Sequence, residues 1–210
     1  MKTRQVVFFL VWSAFILYAW LVAPNGNEGY LNQLIRMNDP DPLLLAVFSL
    51  LGLFPITFLI LLLTHDHSRL PAWPFAAGSF VLGAFAILPF FFLSTAEKKR
   101  RNRIPSILRK VLNSLYLHVL LLIGTTWLIM YGLLQGDFTF YAQAFNHSQF
   151  VHVMTIDLFI LTGLSVFTLY WEQQKIGIQS KSFLWGILPI IGVMIYLLLN
   201  KDQRRQKIGS

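Results

Sequence analysis

Two side chains in this sequence sit where ionisable groups are costly. The run Phe150–Glu172 (FVHVMTIDLFILTGLSVFTLYWE) is apolar and long enough to cross a bilayer, yet it contains His152 and Asp157. Holding such a group at bilayer depth costs ~2.5–3.5 kcal/mol on insertion scales, so each marks a position of interest. A histidine and a carboxylate could act as an acid/base pair or relay a proton. The competing reading is a buried hydrogen bond that sets the register between helices.

On a helix, at about 100° per residue, His152, Thr155 and Thr162 fall within roughly 80° of one another, while Asp157, Thr168 and Glu172 gather nearly opposite. His152 and Asp157 therefore should not face each other directly. The aspartate is expected to answer to a neighbouring helix, for which His118 and Asn113 of the preceding span are the polar partners on offer. The candidate catalytic set is thus His152 and Asp157, with His118 orienting them. Asn113, Thr155 and Arg36 are the candidate ligand-binding residues, Arg36 through an anionic headgroup.

Other chemistry is poorly supplied. His65-Asp66-His67 offers two metal ligands at i and i+2 and no assignable third, so no metal site is expected. No serine nucleophile elbow, phosphate-binding glycine loop, HExxH or dinucleotide fingerprint occurs, and no cofactor is implied. The absence of cysteine removes disulfides and thiolate chemistry.

The elements that must position these residues are apolar helices. The 210 residues are 56% hydrophobic and only 12% charged, with a mean hydropathy of +0.61, against about 25% charged in soluble domains. The reading is an all-α, polytopic membrane helix bundle of one domain, with six transmembrane helices at about 6–23, 44–63, 72–93, 111–134, 150–171 and 183–199. The first run is read as an uncleaved span, because Pro24 follows it directly. Two polar connectors carry short amphipathic patterns, Tyr30, Leu31, Leu34 and Ile35 in the first and Phe138–Gln149 in the second. Gly52 and Pro55 predict a kink in the second span, and the small residues Ala76, Ala77, Gly78, Gly83 and Ala84 predict close packing of a central third. A polar site is expected between the fourth and fifth helices.

The net charge of +8 does not imply nucleic acid, because the cations cluster beside apolar runs, seven of them between Lys98 and Lys110. That connector suits anionic lipid headgroups, at ~1 kcal/mol per cation near the surface. With it on one face, together with the other odd-numbered loops, that face carries ten Lys and Arg and the opposite face seven. The positive-inside rule then puts the connector in the cytoplasm and both termini outside, in a bacterial cytoplasmic membrane. The halves look alike in order: a span, an interfacial segment, a span, a tight turn, and a span opened by tryptophan. Three spans per copy would make this a 3+3 inverted repeat.

The stretch His152-Val-Met-Thr-Ile-Asp157-Leu-Phe resembles a family of small membrane proteins whose plant member, the abscisic-acid-deficient-four protein, is linked to neoxanthin formation. The family has a similar His-four-residues-Asp-Leu-Phe helix, followed by a last span with a Gly-Pro-rich centre. Here that centre reads Ile187-Leu-Pro-Ile-Ile-Gly-Val, in the other order, and Leu161-Thr-Gly-Leu stands where the family has Arg-Trp. The chain also looks like uncharacterised six-span proteins of cyanobacteria and chloroplasts. The resemblance implies interest in His152 and Asp157 and an apolar, isoprenoid-like ligand. Three readings follow: a membrane protein that binds lipid, an apolar ligand or a partner; an enzyme acting on an isoprenoid or carotenoid by acid/base chemistry; and a small inverted-repeat carrier.

Overall fold

The computed structural model describes residues 3–63, 70–94, 106–176 and 181–200. All regular structure among the described residues is helical: α1 (Thr3–Leu21), α2 (Tyr30–Arg36), α3 (Pro42–Leu63), α4 (Trp73–Leu82), α5 (Ala84–Leu93), α6 (Ser106–Leu112), α7 (Leu115–Gln135), α8 (Phe138–His147), α9 (Gln149–Ile176), a 3-10 helix (Lys181–Ile187) and α10 (Ile191–Leu199). Four of these, α1, α3, α7 and α9, are long and apolar enough to cross a membrane. Their bounds follow the apolar runs, except that α7 starts a few residues inside its own.

Three expected spans are built differently. The run expected to be one helix over 72–93 is two ten-residue helices meeting at Gly83, whose φ of 53° and ψ of −131° suit only a residue without a Cβ. The run over 183–199 opens as a 3-10 helix and restarts at Ile191 after Pro189, with Ile190 at φ 59°. The fourth run, expected to be one helix over 111–134, breaks at Asn113 and Ser114, so its long helix starts at Leu115. By contrast α3 continues through Pro55 as one helix. The two amphipathic connectors form α2 and α8 as their periodicity predicts.

Helix α5 lies near the centre, against α1 and α9, with Ile87, Leu88, Phe90 and Phe91 buried. Its partner α4 is peripheral, with Phe80, Val81 and Leu82 exposed, so only the second half of the expected central span is central. Helix α3 packs against α4, α7 and α9, and α10 against α7 and the 3-10 helix. Close approach depends on glycine at the α3–α7 crossing, where a Cβ on Gly132 would lie 2.6 Å from that of Ala46.

Pro89 explains one contact between helices. Having no N–H, it leaves the carbonyl four residues back, that of Phe85, without its helical donor. The indole Nε1 of Trp12 on α1 donates to that oxygen at 3.0 Å, and Phe15 stacks on Phe85 with ring centroids 4.0 Å apart. At the other end of α5, the Arg4 guanidinium donates to the Ser94 carbonyl oxygen at 2.6 Å and lies over the Trp171 ring. A cation beside a helix C-terminus is favourable.

Candidate functional site: a carboxylate at a broken helix

A carboxylate in the middle of a helix cannot be satisfied by its own backbone, because every N–H around it is already donated. Hydroxyls can: Thr162, Ser165 and Thr168 on α9 each donate to the carbonyl four residues back. Asp157, only 6% exposed, must find a donor elsewhere. The first N–H groups of any helix lack partners, and α5 begins inside the bundle. Asp157 Oδ1 accepts from the Ala84 backbone N–H at 2.7 Å. The positive end of the α5 dipole also favours the acidic side chain there. A Cβ on Gly83 would fall 1.7 Å from Asp157 Oδ2, so glycine is needed both for the turn and for the carboxylate's approach.

This pairing opens on a cavity of about 650 Å³ bounded by α3, α4, α5 and α9. Phe48, Phe80, Phe85 and Phe150 contribute four aromatic rings to its wall, and Asp157 is its one charged residue. Asn27 and Gln149 add polar groups from the first connector and from the start of α9. The size is within the ~300–1,000 Å³ typical of small-molecule sites. Pro55 withholds a donor from the Leu51 carbonyl, and Leu51 and Gly52 belong to this wall. Gly52 has nothing within 4 Å of where its Cβ would be, so α3 leaves space there.

His152 has a different environment, as its helical angle predicts. Its Nδ1–H donates to the Phe145 carbonyl at 2.9 Å, and Nε2 shares a hydrogen bond with Tyr18 Oη at 2.6 Å. The ring stacks on Phe145 at 4.1 Å between centroids. His152 thus ties α1, α8 and α9 together. Thr155 belongs to the same face: it donates to the Val151 carbonyl at 2.7 Å and accepts from Tyr141 at 2.6 Å. Burial raises the Tyr141 pKa, the Thr155 bond opposing this more weakly, so the phenol keeps the proton it donates. Backbone pairing of Gly26 with Ser148 and Gln149 closes the first connector against the start of α9.

The aspartate therefore answers to another helix, but that helix is α5, through its backbone, and not the span carrying His118 and Asn113. His118 donates from Nε2 to the Leu112 carbonyl at 2.9 Å, bridging the α6–α7 break. Asn113 lies in that break, half-buried. Helix α7 packs on α3 and α10. The polar site expected between the fourth and fifth spans is instead formed where the run over 72–93 is interrupted. Arg36 is exposed at the end of α2. Of the cationic connector, Lys98 through Pro105 lie outside the described residues, as do His65, Asp66 and His67, and Lys110 is exposed. Among the described residues no group of three or more His, Asp or Glu gathers as a metal site would require.

Gly83, Ala84, Trp12 and Tyr18 were not singled out by side-chain chemistry. The available signal was Gly83 followed by Pro89 within one apolar run, since interrupted hydrophobic segments point to binding sites in transport folds.

Fold and site together define a class: all-helical, with four helices able to cross a membrane and a carboxylate-bearing apolar cavity between helices. No family model, curated protein or solved structure matches the chain, so the class is not narrowed to a particular relative.

Proposed function

We propose that this protein binds a predominantly apolar small molecule inside its membrane domain, in the cavity beside Asp157. The observation that carries this reading is a cavity of about 650 Å³ with one carboxylate and several aromatic rings in its wall. A bundle that needed Asp157 for packing alone would enclose it; here the same residue borders a space of ligand size. The isoprenoid-like molecule implied by the family resemblance is compatible with such a wall.

In this proposal the chain crosses the membrane six times: α1, α3, the α4–α5 pair, α7, α9 and the 3-10–α10 pair. Two inverted units of three spans are supported by matched packing. Helix α1 packs with α5 as α7 does with α10, and α3 with α4 as α9 does with the 3-10 helix. The location is a bacterial cytoplasmic membrane, with the Lys98–Lys110 connector on anionic headgroups of the cytoplasmic leaflet.

The test is mass spectrometry of small molecules retained by protein purified gently from its own membrane, beside a Gly52→Phe variant. That side chain projects into open space and should fill the cavity. A defined apolar compound on the parent, absent from the variant, is the expected result. Equal retention by both would remove the cavity from the account.

A carrier is the second reading, favoured by two interrupted helices in corresponding positions of the halves. It predicts counterflow of the retained compound in proteoliposomes. Acid/base catalysis has less support, because both ring nitrogens of His152 are engaged by Tyr18 and Phe145. Turnover of an identified substrate that disappears in Asp157→Asn would restore it.

A further inference from the structure

The chemistry of the cavity wall narrows the ligand. Asp157 is its one ionisable residue, set in an otherwise largely apolar space. Among the described cations, Arg4 is occupied far along the bundle, with Ser94 and Trp171. The α5 N-terminus offers Asp157 Oδ1 a single N–H donor, that of Ala84. An anionic ligand would meet like charge in a medium of low dielectric, where repulsion is strongest.

Four phenylalanines share the wall, and the rings of Phe48 and Phe150 lie 6.3 Å apart at 57°. Aromatic faces attract cations, most strongly when water is excluded. A carboxylate and several aromatic rings bordering one apolar space are together complementary to a positive charge carried on a hydrophobic body.

The route in also bears on the ligand. Phe80, Val81 and Leu82 belong to the cavity wall and are also exposed on the flank of α4, Val81 by 87%. The cavity therefore reaches the outer surface of the bundle at an apolar edge. In a membrane that edge faces lipid, so a molecule dissolved in the bilayer can enter sideways.

We infer that the cavity takes a hydrophobic monocation from the bilayer, an amine or onium group on an apolar body, with the positive charge held between Asp157 and the phenylalanine rings. This rests on the reading of the cavity as a ligand site.

The experiment uses full-length protein in nanodiscs of zwitterionic lipid and two probes, the permanent cation tetraphenylphosphonium and the neutral diphenylhexatriene. The parent should bind tetraphenylphosphonium saturably. Asp157→Asn, which keeps an oxygen for the Ala84 N–H, should weaken it about tenfold or more, and Gly52→Phe should abolish it. If Asp157→Asn does not fold, the double variant Phe48→Leu with Phe150→Leu decides. It should weaken the cation severalfold and the neutral probe less, and an unchanged affinity for the cation, or an equal loss for both probes, would overturn the inference. Should Asp157→Asn bind the cation as the parent does while Gly52→Phe binds neither probe, the charge preference is wrong and the cavity stands. The same holds if the parent binds only diphenylhexatriene, in a manner sensitive to Gly52→Phe. Binding of both probes unaffected by Gly52→Phe, or of neither by the parent, overturns the cavity reading as well.

Discussion

Two of the breaks inside apolar runs, those at Gly83 and before α10, satisfy the broken backbone in opposite ways. Between α4 and α5 the break occupies one residue, Gly83, and the freed Ala84 N–H goes to a carboxylate from another helix. Before α10 the break spans Leu188 to Ile190 and is closed by its own backbone: Leu188 N–H donates to the Trp185 carbonyl and Gly192 N–H to that of Leu188. Glycine lets that segment close tightly, since a Cβ on Gly192 would strike the Trp185 carbonyl and one on Gly186 would meet the Val166 backbone. The second break is thus self-contained. The first depends on an ionisable group held where such groups are costly, and it borders a cavity. The same backbone defect becomes a candidate site only where its repair comes from outside the segment.

That contrast is sharpest at Gly83. Gly83→Val adds carbon atoms where Asp157 Oδ2 lies and forces a β-branched residue to φ 53°, ψ −131°. The expected loss is about 3 kcal/mol or more, read as a large fall in thermal unfolding temperature in detergent. A variant as stable as the parent would mean that the carboxylate is not held against this turn. Asp157→Leu should come next, since it leaves the buried Ala84 N–H without an acceptor at about 1–3 kcal/mol. Asp157→Asn, which retains an oxygen, should lose less. Hydrogen exchange over residues 84–93 separates the two, because only the leucine variant should lose protection at the start of α5.

A smaller effect tests the proline rationale within the same half. Trp12→Phe should cost about 1 kcal/mol by stranding the Phe85 carbonyl. In a Pro89→Ala background, where residue 89 can donate to that carbonyl, the same change should cost measurably less, as a double-mutant cycle would read. Additive effects would dismiss the link between the two.

Much of the scaffold was legible because a long apolar run has few alternatives. Helices α1, α3, α7 and α9 lie where hydropathy puts them, and α2 and α8 where amphipathic spacing does. The separation of His152 from Asp157 also followed from helical angle alone, and their different partners agree with it. Partner choice was not legible. The sequence offers His118 to Asp157 as a side-chain partner, whereas the donor is a backbone N–H that is free only because a helix stops.

Composition and periodicity by themselves determined that the chain is helical, which segments are apolar enough for a bilayer, and that a carboxylate would be buried among them. Tertiary structure alone decided where the helices break, which break Asp157 reaches, and that their meeting leaves a space. The physical reason is that hydropathy is a sum over neighbours along the chain. The satisfaction of a broken backbone depends instead on a residue 73 positions away in sequence and 2.7 Å away in space.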